Sequence, residues 1–269
     1  MQRALKAGIG SAVILAIAAC APPPPPTPPV VIGPPPPAPA AVQAQWAMNE
    51  RAGARVMKDA IRPPGHDGAI GAGISVTGTT YDFPGWMNNV DGAGNISGQI
   101  SATDSEVVVA DASHSLEPIN GAFSVDGTIL LRRSATGTLP IGAPGTGYNL
   151  IQKARASNLG GFWKVEIRGN GNGLGHVVCT LGDGRNVLTV ESASRVDDGA
   201  WHSFGCRLNG GQFSAVVDGV GANADASILG SVNPVERFST SVTIGKKPGS
   251  TDPYDSFSGW VDGINISAG

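Results

Sequence analysis

Short runs of alternating apolar and polar residues, each closed by glycine or by an Asn–Gly or Asp–Gly pair, dominate much of this chain. Phe162-Trp163-Lys164-Val165-Glu166-Ile167 alternates behind Gly160-Gly161 and breaks at Gly169-Asn170-Gly171-Asn172-Gly173. His176 to Leu181 stops at Gly182-Asp183-Gly184, and Asn186 to Glu191 precedes the turn Asp197-Asp198-Gly199. Trp201 to Leu208 ends at Asn209-Gly210-Gly211, Phe213 to Val217 closes on Asp218-Gly219, and Ser241 to Ile244 and Ser258 to Ile266 follow. A side-chain period of two marks a half-buried strand, and a glycine pair between two such runs marks a hairpin. Strands spaced roughly 8–12 residues apart predict an antiparallel two-sheet β-sandwich.

Earlier in the chain, Glu106 to Ala110, Ala122 to Val125 and Thr128 to Leu131 read as strands, and Asn149 to Lys153 as a core strand. Ala52 to Ala60 has mild helical potential but lies beside Arg62-Pro63-Pro64-Gly65, which limits it to a turn or a short helix. No long segment carries an apolar period of 3.6, and that excludes a helical domain.

The first residues read as an address. Met1 to Lys6 carries Arg3 and Lys6, and an uncharged run from Ala7 to Ala19 follows. That run is too short for a membrane-spanning helix, which needs about 20 apolar residues. Ile17-Ala18-Ala19-Cys20 resembles the bacterial lipobox, whose cysteine is lipidated and becomes the mature N-terminus. The alternative is ordinary cleavage with Cys20 incidental. Residues 1–20 are therefore expected to be a lipoprotein signal peptide. Residues 21–41 hold the runs Pro22–Pro26 and Pro34–Pro37, which favour polyproline II and cannot pack a core. At about 3.1 Å per residue they would form a semi-rigid stalk of roughly 60 Å. A ligand for SH3-type domains is the competing reading, and export disfavours it. Residues 42–269 suit one domain. The expected location is a bacterial cell envelope, lipid-anchored and facing outward, with secretion as the alternative.

Composition narrows the function. With 14% charged residues and a formal charge of −3, the chain has no basic face for nucleic acid. Its three cysteines agree with export: Cys20 belongs to the lipobox, leaving Cys179 and Cys206 to pair in an oxidising space. Two buried free thiols are the alternative.

The ordered set Asp197-Asp198-Gly199-Ala200-Trp201-His202, Val216-Val217-Asp218-Gly219, Thr243-Ile244-Gly245 and Phe257-Ser258-Gly259-Trp260-Val261-Asp262-Gly263-Ile264 resembles the signature of the laminin-G-like jellyroll family. That family lies within the concanavalin A-like lectin/glucanase superfamily. Asn149 to Lys153 fits the preceding strand, and Ala44-Gln45-Trp46-Ala47-Met48-Asn49-Glu50 is similar to the opening strand of bacterial members. Those members continue with a Ser-Gly-Asn-Gly loop, where this chain has Ile61-Arg62-Pro63-Pro64-Gly65-His66-Asp67-Gly68. The resemblance implies a concanavalin A-like sandwich and a disulfide at Cys179 and Cys206. Strand phase is expected to turn Trp201 to the core and His202 to the opposite face.

Catalysis has little support in the sequence. Glucanases of the superfamily carry Glu-x-Asp-x-(x)-Glu on one strand, and here Glu166 and Glu191 stand alone. His66, His114, His176 and His202 show no metal spacing. By the resemblance, a structural calcium ion is a reasonable candidate, with Asp59, Asp67 and Asp262 as ligands by position. The expected function is a non-catalytic binding module for a glycan or a glycosylated envelope component. A protein-interaction or adhesin-like role is the alternative, and a glycoside hydrolase comes third. Trp86, Trp163 and Tyr254 are the candidate sugar-facing aromatics.

Overall fold

The computed structural model describes residues 40–61, 65–83, 105–118, 121–131, 147–155, 161–169, 175–229, 241–250 and 255–269. In chain order their strands are β1 Ala41–Trp46, β2 Val56–Met57, β3 Gly68–Ile70, β4 Ser75–Val76, β5 Tyr81–Phe83, β6 Val107–Ala110, β7 Phe123–Leu131 and β8 Gly147–Lys153. The series continues with β9 Phe162–Gly169, β10 Gly175–Gly182, β11 Val187–Arg195, β12 His202–Asn209, β13 Gln212–Val217, β14 Val220–Asp225, β15 Ser241–Ile244 and β16 Gly259–Ala268. The described residues contain no α-helix. The segment from Ala52 to Ala60, a turn or short helix by sequence, forms turns around β2.

Two antiparallel sheets result. The first has the order β14-β13-β12-β7-β16-β5-β4, with β1 also pairing β16; the second runs β11-β10-β9-β8-β15-β6-β3-β2. Alternation fixes which residues lie between them. In β7 every odd position from Phe123 to Leu131 is buried and every even one is half-buried. The inner faces meet in one core, where Phe123 of the first sheet packs on Trp163 of the second with ring centroids 5.3 Å apart.

Two hairpins carry the expected turns. Asn209 pairs with Gln212 across Gly210 and Gly211, at φ of 56° and 79°. Val217 pairs with Val220 across Asp218 and Gly219, at φ of 49° and 80°. Positive φ at both central positions matches the twist of the flanking strands. One break in the pattern proved false: the runs expected at Ala122 to Val125 and Thr128 to Leu131 fall on a single strand, β7, which begins at Phe123 and continues through Gly127. A Cβ at Gly127 would stand 2.9 Å from Phe204 Cε1, so glycine marks a crowded place in the core and not a turn.

The core also encloses charge. Lys153 is buried, and its Nζ donates to Asp111 Oδ2 at 2.9 Å and pairs with Glu117 Oε1 at 3.1 Å. Burial alone would raise the Asp111 carboxyl, but the Lys153 hydrogen bond and charge hold it below the ordinary aspartate value. Asp111 also accepts the amides of Ser115 and Leu116, each at 3.0 Å, which shapes the loop after β6.

Cys179 of β10 and Cys206 of β12 form a disulfide that ties one sheet to the other, with Cα atoms 5.6 Å apart and a sequence separation of 27. Closing a loop of that length stabilises the fold by about 3.5 kcal/mol in the chain-entropy model. The double substitution C179A/C206A is therefore expected to lower Tm by roughly 10 °C in a scanning calorimeter, given about 2–4 °C per kcal/mol for a domain this size. A shift below about 2 °C would show that the bridge adds little to stability.

Candidate functional site

The outer face of the first sheet is built by the same alternation. Asp126, Thr128 and Leu130 of β7 point away from the core, and the register lines up their neighbours in rows. The first row runs Gly221, Val216, Gly205, Asp126 and Asn265. The second is Ser203, Thr128 and Asp262, and the third places Trp260 between Leu130 and Asp82.

Missing side chains open a dent in the first row. A Cβ at Gly205 would stand 2.6 Å from Asp126 Oδ1, so only glycine leaves the carboxylate its place. The resulting cavity of about 420 Å³ is lined by Asp126, Thr128, Ser203, Gly205, Arg207 and Asn265, among others. Arg207 donates to Asp126 Oδ1 from Nε at 3.0 Å and from Nη2 at 2.7 Å. A bulge in β16 between Asp262 and Asn265 adjusts this edge, pinned by Thr128 Oγ1 donating to the Asp262 carbonyl at 3.0 Å. A carboxylate, a guanidinium, a carboxamide and hydroxyls thus share one shallow hollow.

Aromatic surface lies further along the same face. Trp201, one residue ahead of β12, is 44% exposed and in phase with outward-facing Ser203 and Arg207. Trp260 is half-buried beside Leu130. The third row is four residues from the first, roughly 14 Å along the strands. The structure reverses the expected phase of β12: Trp201 is outside and His202 is buried. Phe204, Cys206 and Leu208 face the core, and the bond from Cys206 to Cys179 locks the even positions inward.

His202 braces the turn that carries Trp201. Its Nδ1 lies 2.7 Å from Asp218 Oδ2 and its Nε2 2.8 Å from Asp198 Oδ1. Burial pulls the imidazole pKa down, but the hydrogen bonds to Asp218 and Asp198 outweigh it and hold His202 above the ordinary value. The His202 hydrogen bond in turn keeps the Asp218 carboxyl low, helped by the Ser203 amide at 2.8 Å.

Among the described residues, the candidates named from sequence do not gather in one place. Trp163 is 1% exposed, and its indole Nε1 donates to the Leu116 carbonyl at 3.0 Å. It is a core residue and offers no face to a sugar, because the odd positions of β9 point inward. Trp86, Tyr254 and Cys20 lie outside the described residues. Glu166 and Glu191 face outward from the second sheet on either side of Val178. Glu166 Oε2 accepts from Lys164 Nζ at 2.9 Å, and Glu166 also pairs with Arg168.

Asp59, Asp67 and Asp262 do not fit a shared calcium ion. Asp59 is spent on His66 and on the amides of Gln45 and Ile61. Asp67 accepts from the Asp59 amide at 3.0 Å and from Lys58 Nζ at 2.6 Å. Asp262 sits in the second row of the other sheet, where burial lifts its carboxyl above the ordinary value. Among the described residues no group of three His, Cys, Asp or Glu side chains is arranged to hold a metal.

Sheet order, core and outer face define a concanavalin A-like jellyroll sandwich. Residues 151–268 match the family model for the laminin G domain, a stretch that carries the disulfide, Trp201, Arg207 and Trp260. The chain is similar to the binding domain of botulinum neurotoxin serotype G, at 15% identity and TM-score 0.56 over 84% of this chain and 47% of that one. It is also similar to the binding domain of Paraclostridial Mosquitocidal Protein 1, at 12% identity and TM-score 0.57 over 84% and 48%. A third similar structure is domain 4 of AbnA, a GH43 extracellular arabinanase from Geobacillus stearothermophilus, in complex with arabinotriose. There the identity is 13% and the TM-score 0.52 over 86% and 94%. The chain spans about half the length of the first two. At these identities the likeness shows the fold alone. No curated protein sequence matches the chain.

The His202 cluster sets a pH dependence. A histidine raised above its ordinary 6.5 contributes stability that is present below that pH and lost as pH rises through the folded-state pKa. Asp218, held below 3.8, contributes stability lost as pH falls through its own folded-state pKa. H202Q is thus expected to cost about 1 kcal/mol near pH 5.5, screened because both carboxylates are half-exposed. In urea unfolding the deficit should shrink by pH 9; a deficit that is constant or grows with pH would contradict this assignment.

Proposed function

We propose that the domain is a binding module for a glycan or a glycosylated envelope component, held at the cell envelope through a lipid on Cys20. The observation that carries the reading is the outer face of the first sheet, where a polar hollow at Asp126 and Arg207 shares one surface with Trp201 and Trp260. Sugars have apolar faces that stack on rings and hydroxyls that both donate and accept, so they suit aromatic surface next to carboxylate, amide and guanidinium groups. The arabinotriose complex formed by a domain of similar fold supports a sugar as the ligand class. The lipobox-like cysteine and the proline stalk support display away from a membrane.

A glycan array probed with residues 41–269 is expected to give a defined set of sugars. W201A should then weaken the best of them about tenfold, the loss of one aromatic anchor. G205L, which fills the hollow, should abolish binding while the disulfide and fold are kept. No hit on the array, with a protein recovered in pull-down that free sugars do not displace, would replace the glycan by a protein partner. For the anchor, C20S should move the full chain from the detergent phase to the aqueous phase in Triton X-114 partition; an unchanged distribution would rule out lipidation at Cys20.

A further inference from the structure

Three loops at one end of the second sheet bring Asp59, His66 and Ser115 into a hydrogen-bonded line. Asp59 follows β2, His66 precedes β3 and Ser115 lies beyond β6. The Asp59 carboxylate is buried, and its Oδ1 accepts from the amides of Gln45 at 3.1 Å and Ile61 at 2.9 Å. Its Oδ2 lies 3.1 Å from His66 Nδ1. The imidazole is buried as well, and its Nε2 stands 2.9 Å from Ser115 Oγ. Ser115 is half-exposed, so the line runs from a buried acid through a buried base to a hydroxyl at the surface. A carboxylate that holds the ring proton on Nδ1 leaves Nε2 with a lone pair for the serine proton, the requirement for an activated nucleophile.

Asp111 is the competing partner. Its Oδ1 is 3.6 Å from His66 Nε2 and 3.4 Å from Ser115 Oγ. Its charge, however, is matched by Lys153 at 2.9 Å, and it already accepts the Ser115 and Leu116 amides and the Ser113 hydroxyl. The imidazole is then the nearer acceptor for the Ser115 proton. The residue before the serine, His114, is held at φ 56°, a region that non-glycine residues occupy only when their surroundings enforce it. A contact of 2.7 Å between His114 Nδ1 and Glu117 Oε1 anchors it there.

We propose that Ser115 is a nucleophilic serine that accepts an acyl group from a carboxylic ester, with His66 as its general base and Asp59 orienting the imidazole. Ser115 Oγ bonds to the ester carbonyl carbon as its proton passes to His66 Nε2. The bond from that carbon to the alcohol oxygen breaks, and the leaving alkoxide takes the proton from His66. Water then cleaves the acyl-serine with the same base, releasing the acid and restoring the hydroxyl. The amides of Ser115 and Leu116 point at Asp111 and give no help to a developing oxyanion. A single missing donor costs about 10²–10³ in rate, so turnover is slow and trapping of the serine is the informative readout. The site is separate from the sheet face assigned to glycans, and its test does not depend on that assignment.

The test is fluorophosphonate labelling of the full-length chain, with adducts located by tandem mass spectrometry. Ser113, exposed and two residues away, is an internal reference because its hydroxyl bonds to Asp111 and Ser115 and to no imidazole. Ser115 is expected to label at least about 100-fold faster than Ser113, the lower range of general-base assistance. S115A should lose the fast adduct, and H66Q and D59N should slow it while Ser113 is unaffected. Equal labelling of the two serines, or an undiminished Ser115 rate in a folded H66Q, would overturn the proposal. If the buried substitutions do not fold, the Ser115 to Ser113 ratio of the unsubstituted chain decides alone. A ratio near one would overturn the proposal.

Discussion

One strand's alternation sets both what this domain buries and what it presents. β7 is hydrogen-bonded on both sides, to β12 and to β16, and its odd positions fill the core while its even positions form the outer face. A slip of one residue would send Val125 and Ile129 to solvent and Asp126 and Thr128 into the core, so register and function are specified together. The disulfide guards the same phase from the next strand, since Cys206 reaches Cys179 only with the even positions of β12 turned inward. The hollow at Gly205 and the exposed Trp201 both follow from that choice.

The two ends of the molecule's polar chemistry rest on different supports. On the first sheet, Asp126 and Arg207 meet at the surface, where water screens them and a ligand can share their hydrogen bonds. Inside, Lys153 and Asp111 are fully buried, and each would be costly without the other. Removing one partner of such a pair typically costs about 3–5 kcal/mol, since the other is left as an uncompensated charge. Here the pair also shapes a loop: Asp111 gathers the amides after β6 and thereby sets Ser115 against His66. A core charge pair thus positions a surface hydroxyl.

Much of the sandwich was legible in the sequence, because its second half is written in short runs closed by strong turn signals. Asn209-Gly210-Gly211 and Asp218-Gly219 both form the turns their residues demand. Other features were hidden for physical reasons. Gly127 looked like a break because glycine usually ends a strand, yet it serves to admit the Phe204 ring. Trp201 was expected to face the core, yet counting by twos from the inward Cys206 places it outside. The hollow has no sequence signature, since it is made by register across five strands. The line Asp59, His66 and Ser115 spans 49 residues from base to hydroxyl and depends on how three loops close over one sheet end. Trp163 failed as a sugar platform for the reason that made β9 easy to recognise: its alternation is regular and its odd positions point inward.

The central claim is that the outer face of the first sheet is the surface through which this domain binds. Amide chemical-shift mapping tests it most directly, with the tightest glycan from an array titrated into the isotope-labelled domain. The account predicts that the shifts gather on Asp126, Thr128, Ser203, Gly205 and Arg207 and on the indole N–H signals of Trp201 and Trp260. Shifts gathered on the second sheet or on the loops at either end, with this face silent, would contradict it.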